Sequence, residues 1–249
     1  LDLFSGIGGF ALAARWAGIN TISFCEIDPF CQKVLAKNFP GVPIYEDIRE
    51  LWEHSVNLIT GGFPCQPFSH AGKKRGKNDN RYLWDEFYRI IRISHPDWVI
   101  AENVTGIVGM ELDNILDDLA REGYDSQTFI IPACAANAPH RRDRIWIIAN
   151  AMRKRCDNGV YYWESRHIQK DKKWDMETLH SEWTQFIPQS WQTFKVRDWF
   201  QFNSKSCRGN DGISSRLDKH RIKVLGNSIV PQIVYVLMKA INEVEKPRE

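Results

Sequence analysis

Over its first 150 residues the chain alternates short apolar runs with longer segments of helical period, and this alternation restricts the possible folds more than any other feature. Leu1 to Phe4, Thr21 to Cys25, Val56 to Thr60, Trp98 to Ala101, Tyr124 to Ile131 and Arg144 to Ala149 read as strands. Between them, Phe10 to Ala17, Pro29 to Asn38, Leu83 to Ile93 and Leu112 to Arg121 carry helical spacing. Pro29 suits a first helical position, where a missing N–H costs nothing, and Gly123 closes the last of the four. Strands separated by helices predict an α/β fold with a mostly parallel sheet covered on both faces.

After Ala151 the texture changes. Residues 151–216 hold 12 basic against 8 acidic side chains, a net +4, while the other 183 residues hold 21 against 23, a net −2. The overall +2 is therefore the sum of two unlike surfaces. The same segment carries 11 of the 30 aromatic residues and shows no helical period. From Leu217 a helical pattern returns after Gly226-Asn227, through Val230, Val234, Leu237, Met238 and Ile241. The expected organisation is one domain, 1–150 plus 217–249, interrupted by a small lobe at 151–216, which a length of 249 residues accommodates. Trp163, Trp174, Trp183, Trp191 and Trp199 are expected to form the core of that lobe, because so short a unit needs large buried side chains.

No window reaches the roughly 18 consecutive apolar residues of a membrane span, and no signal peptide opens the chain. A cytoplasmic protein is expected. Leu1 already stands inside an apolar run, so the initiator Met and the beginning of the first strand are expected to be missing. The six cysteines (Cys25, Cys31, Cys65, Cys134, Cys156 and Cys207) are scattered without paired CxxC spacing, so reduced thiols and no metal are expected. Cys25, Cys31 and Cys134 read as inert small hydrophobes of the core.

Phe4-Ser5-Gly6-Ile7-Gly8-Gly9-Phe10 lies between a strand and a helix, where glycines let the backbone turn tightly and approach a ligand. Glu26 follows 20 residues after Gly6 at the end of the second strand, where a carboxylate can accept hydrogen bonds from ribose hydroxyls. Open α/β sheets bind ligands outside the carboxyl ends of their strands. Those ends here carry the glycine turn, Glu26 with Asp28, Asp47 with Ile48, Gly61 to Cys65, and Glu102 with Asn103. Singly, Asp28 before Pro29 and Asp47 before a helix read equally well as N-caps; the set of five points to a site.

Cys65 stands between Pro64 and Pro67 on the loop after a strand, held in one orientation as a nucleophile requires. Glu102 ends the next strand, which would bring it near Cys65. A charged carboxylate there would raise the thiol pKa above its usual value of about 8.5. A protonated Glu102, with its own pKa raised, removes the conflict.

These residues carry a family resemblance. Asp2-Leu3-Phe4-Ser5-Gly6-Ile7-Gly8-Gly9-Phe10, Pro64-Cys65-Gln66, Glu102-Asn103-Val104, His140-Arg141-Arg142-Asp143-Arg144 and Gly226-Asn227-Ser228-Ile229-Val230-Pro231 occur in the order found in C5-cytosine DNA methyltransferases. The resemblance reaches both ends of the chain. It implies a Rossmann-like, S-adenosylmethionine-dependent methyltransferase sheet with a small inserted target-recognition domain. It further implies methyl transfer to C5 of a flipped-out cytosine in a specific DNA sequence, of bacterial or phage type.

By the same resemblance, Cys65 adds to C6 of the base and Glu102 donates to ring N3. Arg144 and Arg142 hold the flipped base and its phosphate, while Arg141 reads as a surface or ion-pairing residue. For the cofactor, Phe4 lies against adenine, the turn Ser5, Gly6, Ile7 and Gly9 near the amino-acid portion, and Glu26 with Ile27 at the ribose. Asp47 takes the adenine amino group; Ile48, Gly62, Pro64, Leu83, Asn227 and Ser228 line the rest. Two departures stand out: His140 where the family often has Gln, and a short span between Arg144 and Gly226.

His70 to Arg81 holds Lys73, Lys74, Arg75, Lys77 and Arg81 against one acidic residue. Alone it is an ordinary solvated loop. Beside a cysteine acting on a flipped base it reads as a lid gripping phosphates, with Gln66 and Ser69 joining the DNA contacts. The 151–216 lobe is the expected reader of base edges. The implied partner is double-stranded DNA bound by a monomer; the sequence leaves open both a cognate restriction endonuclease acting separately and a solitary enzyme. A nicotinamide oxidoreductase would share the glycine turn and Glu26 but has no need of Pro64-Cys65-Gln66 with Glu102-Asn103-Val104. An RNA-directed relative would use the same thiol chemistry, although Gly62-Phe63 before Pro64-Cys65 resembles the DNA enzymes more. A catalytically silent DNA-binding partner would not need Cys65, Glu102 and Arg144 intact.

Overall fold

The computed structural model describes residues 1–52, 54–64, 83–136, 138, 141–155, 161–163 and 227–245, with 153–155 and 161–163 as backbone only. Nine strands and five α-helices are formed among them. In chain order these are β1 (Asp2–Leu3), α1 (Gly9–Ala17), β2 (Phe24–Cys25), α2 (Pro29–Asn38), β3 (Ile44–Tyr45), β4 (Leu58–Gly61) and α3 (Trp84–Ser94). β5 (Trp98–Val104), α4 (Leu112–Arg121), β6 (Tyr124–Pro132), β7 (Asp143–Ala151), β8 (Arg153–Arg155), β9 (Tyr161–Trp163) and α5 (Pro231–Glu245) follow.

Seven strands form one sheet in the order β3-β2-β1-β4-β5-β7-β6. β3, β2, β1, β4 and β5 are parallel neighbours, and β7 runs antiparallel to both β5 and β6. The mostly parallel α/β expectation agrees with this sheet. The antiparallel edge follows from a short connection between β6 and β7, which leaves no room for the helical crossover that a parallel pair requires.

Alternation along the central strands divides the core. Val99 and Ala101 of β5, with Ile145, Ile147 and Ala149 of β7, meet Phe87, Ile90 and Ile91 of α3 and Ile115 and Leu119 of α4. Ile100 and Trp146 point the other way, into a layer built by Phe10, Ala13 and Ala14 of α1 and Ile233, Val234, Met238 and Ile241 of α5. Helices thus cover both faces, and α5 joins the layer begun by α1. Asn242 adds a hydrogen bond from Nδ2 to the Ala17 carbonyl at 2.8 Å.

The structure corrects several boundaries. β3 had no counterpart in the sequence reading, β1 and β2 are shorter than expected, β4 is shifted to Leu58–Gly61, and β5 extends to Val104. Ala151, expected to begin the lobe, is the last residue of β7 and pairs with Tyr124. Of the segment that follows it, Met152 and the β8–β9 ribbon are described, with Arg153 opposite Trp163 and Arg155 opposite Tyr161. The remainder of the 151–216 lobe lies outside the described residues. Cys134 is exposed, contrary to the core role expected of it, because the 3-10 turn Ala133–Ala136 buries Ala133 and leaves its neighbour outside. Cys25 and Cys31 are buried as expected.

Candidate active site

β1 lies between β2 and β4, so the chain builds the sheet first in one direction and then in the other. Ligands of such sheets bind at that reversal, outside the carboxyl ends of the strands. A cleft of about 430 Å³ opens there. The glycine turn follows β1, and its geometry explains the residue types. Gly6 and Gly8 have φ of +55° and +88°, and Phe4 also adopts a left-handed φ of +53°. A Cβ on Gly8 would lie 2.7 Å from the Phe39 ring, whereas one on Gly6 would meet nothing within 4 Å, so the turn packs on one side and is open on the other.

Every residue that the resemblance assigned to the cofactor lines this cleft. Phe4 stacks on Phe87 at 6.3 Å, and Ile27 is exposed within the cleft. Glu26 is oriented from two sides, with the Gly6 amide donating to Oε2 at 2.6 Å and the Asp28 amide to Oε1 at 2.8 Å. Asp28 is the N-cap of α2, accepting from the Phe30 and Cys31 amides, and it also lines the cleft, so both of its sequence readings stand. Asp47 caps the 3-10 turn Ile48–Glu50 and also lines the cleft, so both of its readings stand. Arg49 holds the Asp47 carboxylate at 2.7 Å and keeps its pKa low. The sequence reading had not included this pairing, although an acid and a base two residues apart across a turn could have suggested it.

Glu102, Arg142 and Arg144 line the same cleft. Glu102 lies in the buried stretch of β5, 8% exposed, and burial pushes its carboxyl up to about 7 against the opposing pull of Arg144 and Arg142. Arg144 Nε stands 2.9 Å from Glu102 Oε1, brought there because Arg144 pairs with Val104 across β5 and β7. The approach is not aligned as a hydrogen bond, and Oε1 has no aligned donor among the described residues. Arg142 has φ +33° and donates to the Ser228 carbonyl at 2.8 Å, tying the start of β7 to the segment that precedes α5. Arg141 pairs with Asp143 at the surface, 3.0 Å apart, as expected.

Cys65, Gln66, Ser69, Lys73, Lys74, Arg75, Lys77, Arg81 and His140 lie outside the described residues. The segment leading to Cys65 is described up to Pro64 and runs against Glu102: a Cβ on Gly62 would be 3.2 Å from Glu102 Oε2. Cys25 also lines the cleft, but burial pushes its thiol up to about 12, which leaves it inert as a nucleophile near neutral pH. Asp2 belongs to the first motif, and the sequence assigns it no role of its own. It is 2% exposed beneath the glycine turn, accepts from Thr60 Oγ1 at 2.9 Å, and is pushed up to about 7 by burial. An acid inside an apolar strand was the signal available for it.

The family profile described as C-5 cytosine-specific DNA methylase matches residues 1–198, and the chain belongs to that family. The Type II methyltransferase M.Eco47II of Escherichia coli is 32% identical over 205 residues, covering 73% of this chain and 48% of that protein. Type II methyltransferase M2.BsuMI of Bacillus subtilis (strain 168) is 36% identical over 160 residues, 60% of this chain and 41% of its own. The chain thus spans about half the length of these curated relatives, or less. Among solved structures, a DNA modification methyltransferase encoded within an E. coli prophage matches at TM-score 0.53 and 29% identity, over 60% of this chain and 45% of that one. The Dnmt2 methyltransferase of S. pombe aligns over 98% of both chains at TM-score 0.61 and 17% identity, a likeness of fold alone.

Proposed function

We propose that the protein is a DNA cytosine C5-methyltransferase that uses S-adenosylmethionine and acts on a cytosine turned out of the duplex. The observation that carries this reading is the buried Glu102, held near its neutral form, beside the segment that leads to Cys65 and in one cleft with the glycine turn. Cytosine C5 is too weak a nucleophile to take a methyl group unaided. The Cys65 thiolate adds to C6 while protonated Glu102 donates to N3, giving an enamine whose C5 is nucleophilic. Because Glu102 is neutral before it donates, it does not repel the thiolate. Once C5 has taken the methyl group, its proton passes to solvent, the electron pair of that C–H bond expels Cys65 as thiolate, and N3 returns its proton to Glu102. The base must leave the stack first, since its ring face is otherwise covered.

The cleft suits the cofactor's parts. Gly6 is open where a side chain would stand, Glu26 is oriented for ribose hydroxyls, and Ile27 offers an uncovered apolar surface. Bound S-adenosylmethionine supplies an electrophilic methyl group. Asn227 and Ser228 close the pocket from the α5 side, and Arg142 anchors Ser228. Arg144 holds the base in this reading, which its position beside Glu102 supports. Lys73, Lys74, Arg75, Lys77 and Arg81, with Gln66 and Ser69, supply phosphate contacts, and the lobe that follows Ala151 reads the target sequence.

Bisulfite sequencing of DNA from cells expressing the wild type and Cys65→Ala tests the proposal. Methylated cytosines in one sequence context are expected with the wild type only. If no methylated cytosine distinguishes the two, the chain does not act by this chemistry.

A further inference from the structure

Phe63 and Pro64 carry the chain from the end of β4 towards Cys65, and the peptide bond between them has limited hydrogen-bonding capacity. Pro64 has no N–H, so this peptide offers one acceptor, the Phe63 carbonyl, and no donor. Asn103 supplies its partner. Nδ2 donates to the Phe63 carbonyl at 3.1 Å, while Oδ1 accepts from the Val104 amide at 2.8 Å. Asn103 is 3% exposed, so water does not compete at either end. The two bonds also define the amide's orientation: a flip would set oxygen against the Phe63 carbonyl and NH₂ against the Val104 N–H.

The Phe63 ring is held independently. It is buried between Trp84 and Phe87, with ring centroids at 5.2 and 5.9 Å. Aromatic packing therefore anchors the side chain, and Asn103 alone among the described residues binds the carbonyl. The preceding residue, Gly62, already lies against Glu102 Oε2. Asn103 follows Glu102 directly on β5, so one strand end presents the acid and clamps the segment beside it.

We propose that Asn103 is the positioning residue of this site: by holding the Phe63–Pro64 peptide plane, it sets how the chain enters Cys65 relative to Glu102. This rests on the reading of Cys65 as nucleophile. Asn103 acts through the backbone it holds, where a displacement of about 1 Å can cost about 100-fold in rate.

The full chain and its variants Asn103→Ala, Asn103→Asp and Cys65→Ala are assayed with unmethylated bacteriophage DNA and tritiated S-adenosylmethionine. Asn103→Ala is expected to lower kcat by about 100-fold while leaving the affinity for S-adenosylhomocysteine unchanged. Asn103→Asp keeps the acceptor for the Val104 amide but donates to the Phe63 carbonyl only when protonated. Its rate relative to wild type is therefore expected to climb about tenfold for each pH unit lowered until the acid is protonated. A second readout needs no turnover. Iodoacetamide labelling of Cys65, followed by peptide mass spectrometry, is expected to change several-fold in Asn103→Ala, with exposed Cys134 as the unchanged control.

The proposal is overturned if Asn103→Ala keeps its kcat, or if the relative rate of Asn103→Asp is flat with pH. It is equally overturned if kcat, cofactor affinity and Cys134 labelling all change together, because Asn103 then supports the fold in general. Failure of the functional reading looks different: the wild type methylates nothing, or Cys65→Ala is as active as wild type. In that event Cys65 labelling alone decides whether Asn103 positions the segment, an unchanged rate overturning it.

Discussion

At Glu102, burial and charge oppose each other, and burial prevails: the carboxyl sits near 7 although Arg144 Nε is 2.9 Å away. A group that titrates there is protonated for a large part of the time at neutral pH, as a proton donor to ring nitrogen must be. The rate of methyl transfer is expected to fall as pH rises through 7, read from kcat against pH. Glu102→Gln keeps the shape but has no proton to give, and should lose about 10² to 10⁴ in kcat with S-adenosylhomocysteine affinity retained in calorimetry. A variant that kept the wild-type pH profile would assign the titration to another group. Glu102 was legible in the sequence as a strand-end acid. Its pairing with Arg144 depends on β7 lying antiparallel beside β5, which no local pattern records.

Among the elements, the end of β4 leaves the least room for change. Gly61 pairs with Leu3 of β1 and with Ala101 of β5, and a Cβ there would stand 2.5 Å from the Phe87 side chain and 2.8 Å from the Leu3 carbonyl. The ring could yield, but the carbonyl belongs to the sheet backbone. Gly61→Ala is expected to cost about 2 kcal/mol, measured as a lower urea midpoint with an unchanged slope. A midpoint equal to wild type would show that β1 and β4 separate freely. The long elements were legible because each has enough turns or alternations to show its period: α2 and α4 have the expected bounds, and α1 and α3 start or end within a residue of them. β3 was missed because two residues after Pro43 carry no period at all, and pairing with β2 is what makes Ile44–Tyr45 a strand.

Over the whole molecule, two buried acids link stability to pH. Asp2 and Glu102 both sit near 7 in the fold, against 3.8 and 4.5 when unburied. Each binds its proton more tightly folded than unfolded. Their contribution is therefore complete below about pH 4 and is lost as pH rises through 7. Asp2→Asn can still accept from Thr60 and carries no charge to bury. Its melting temperature is expected to exceed the wild type above pH 7, with the gap closing towards pH 4. A gap independent of pH would place the Asp2 titration elsewhere. The sequence alone determined the α/β class, the glycine turn, the strand-end acids and the return of the last helix, because these follow from local periodicity and residue chemistry. Only the tertiary structure decided that Arg142 holds Ser228, that Asn103 holds Phe63, and that Asp2 and Glu102 are desolvated. Those facts depend on which strands become neighbours and how closely they pack, and the energies that settle them come from contacts between residues far apart in the chain.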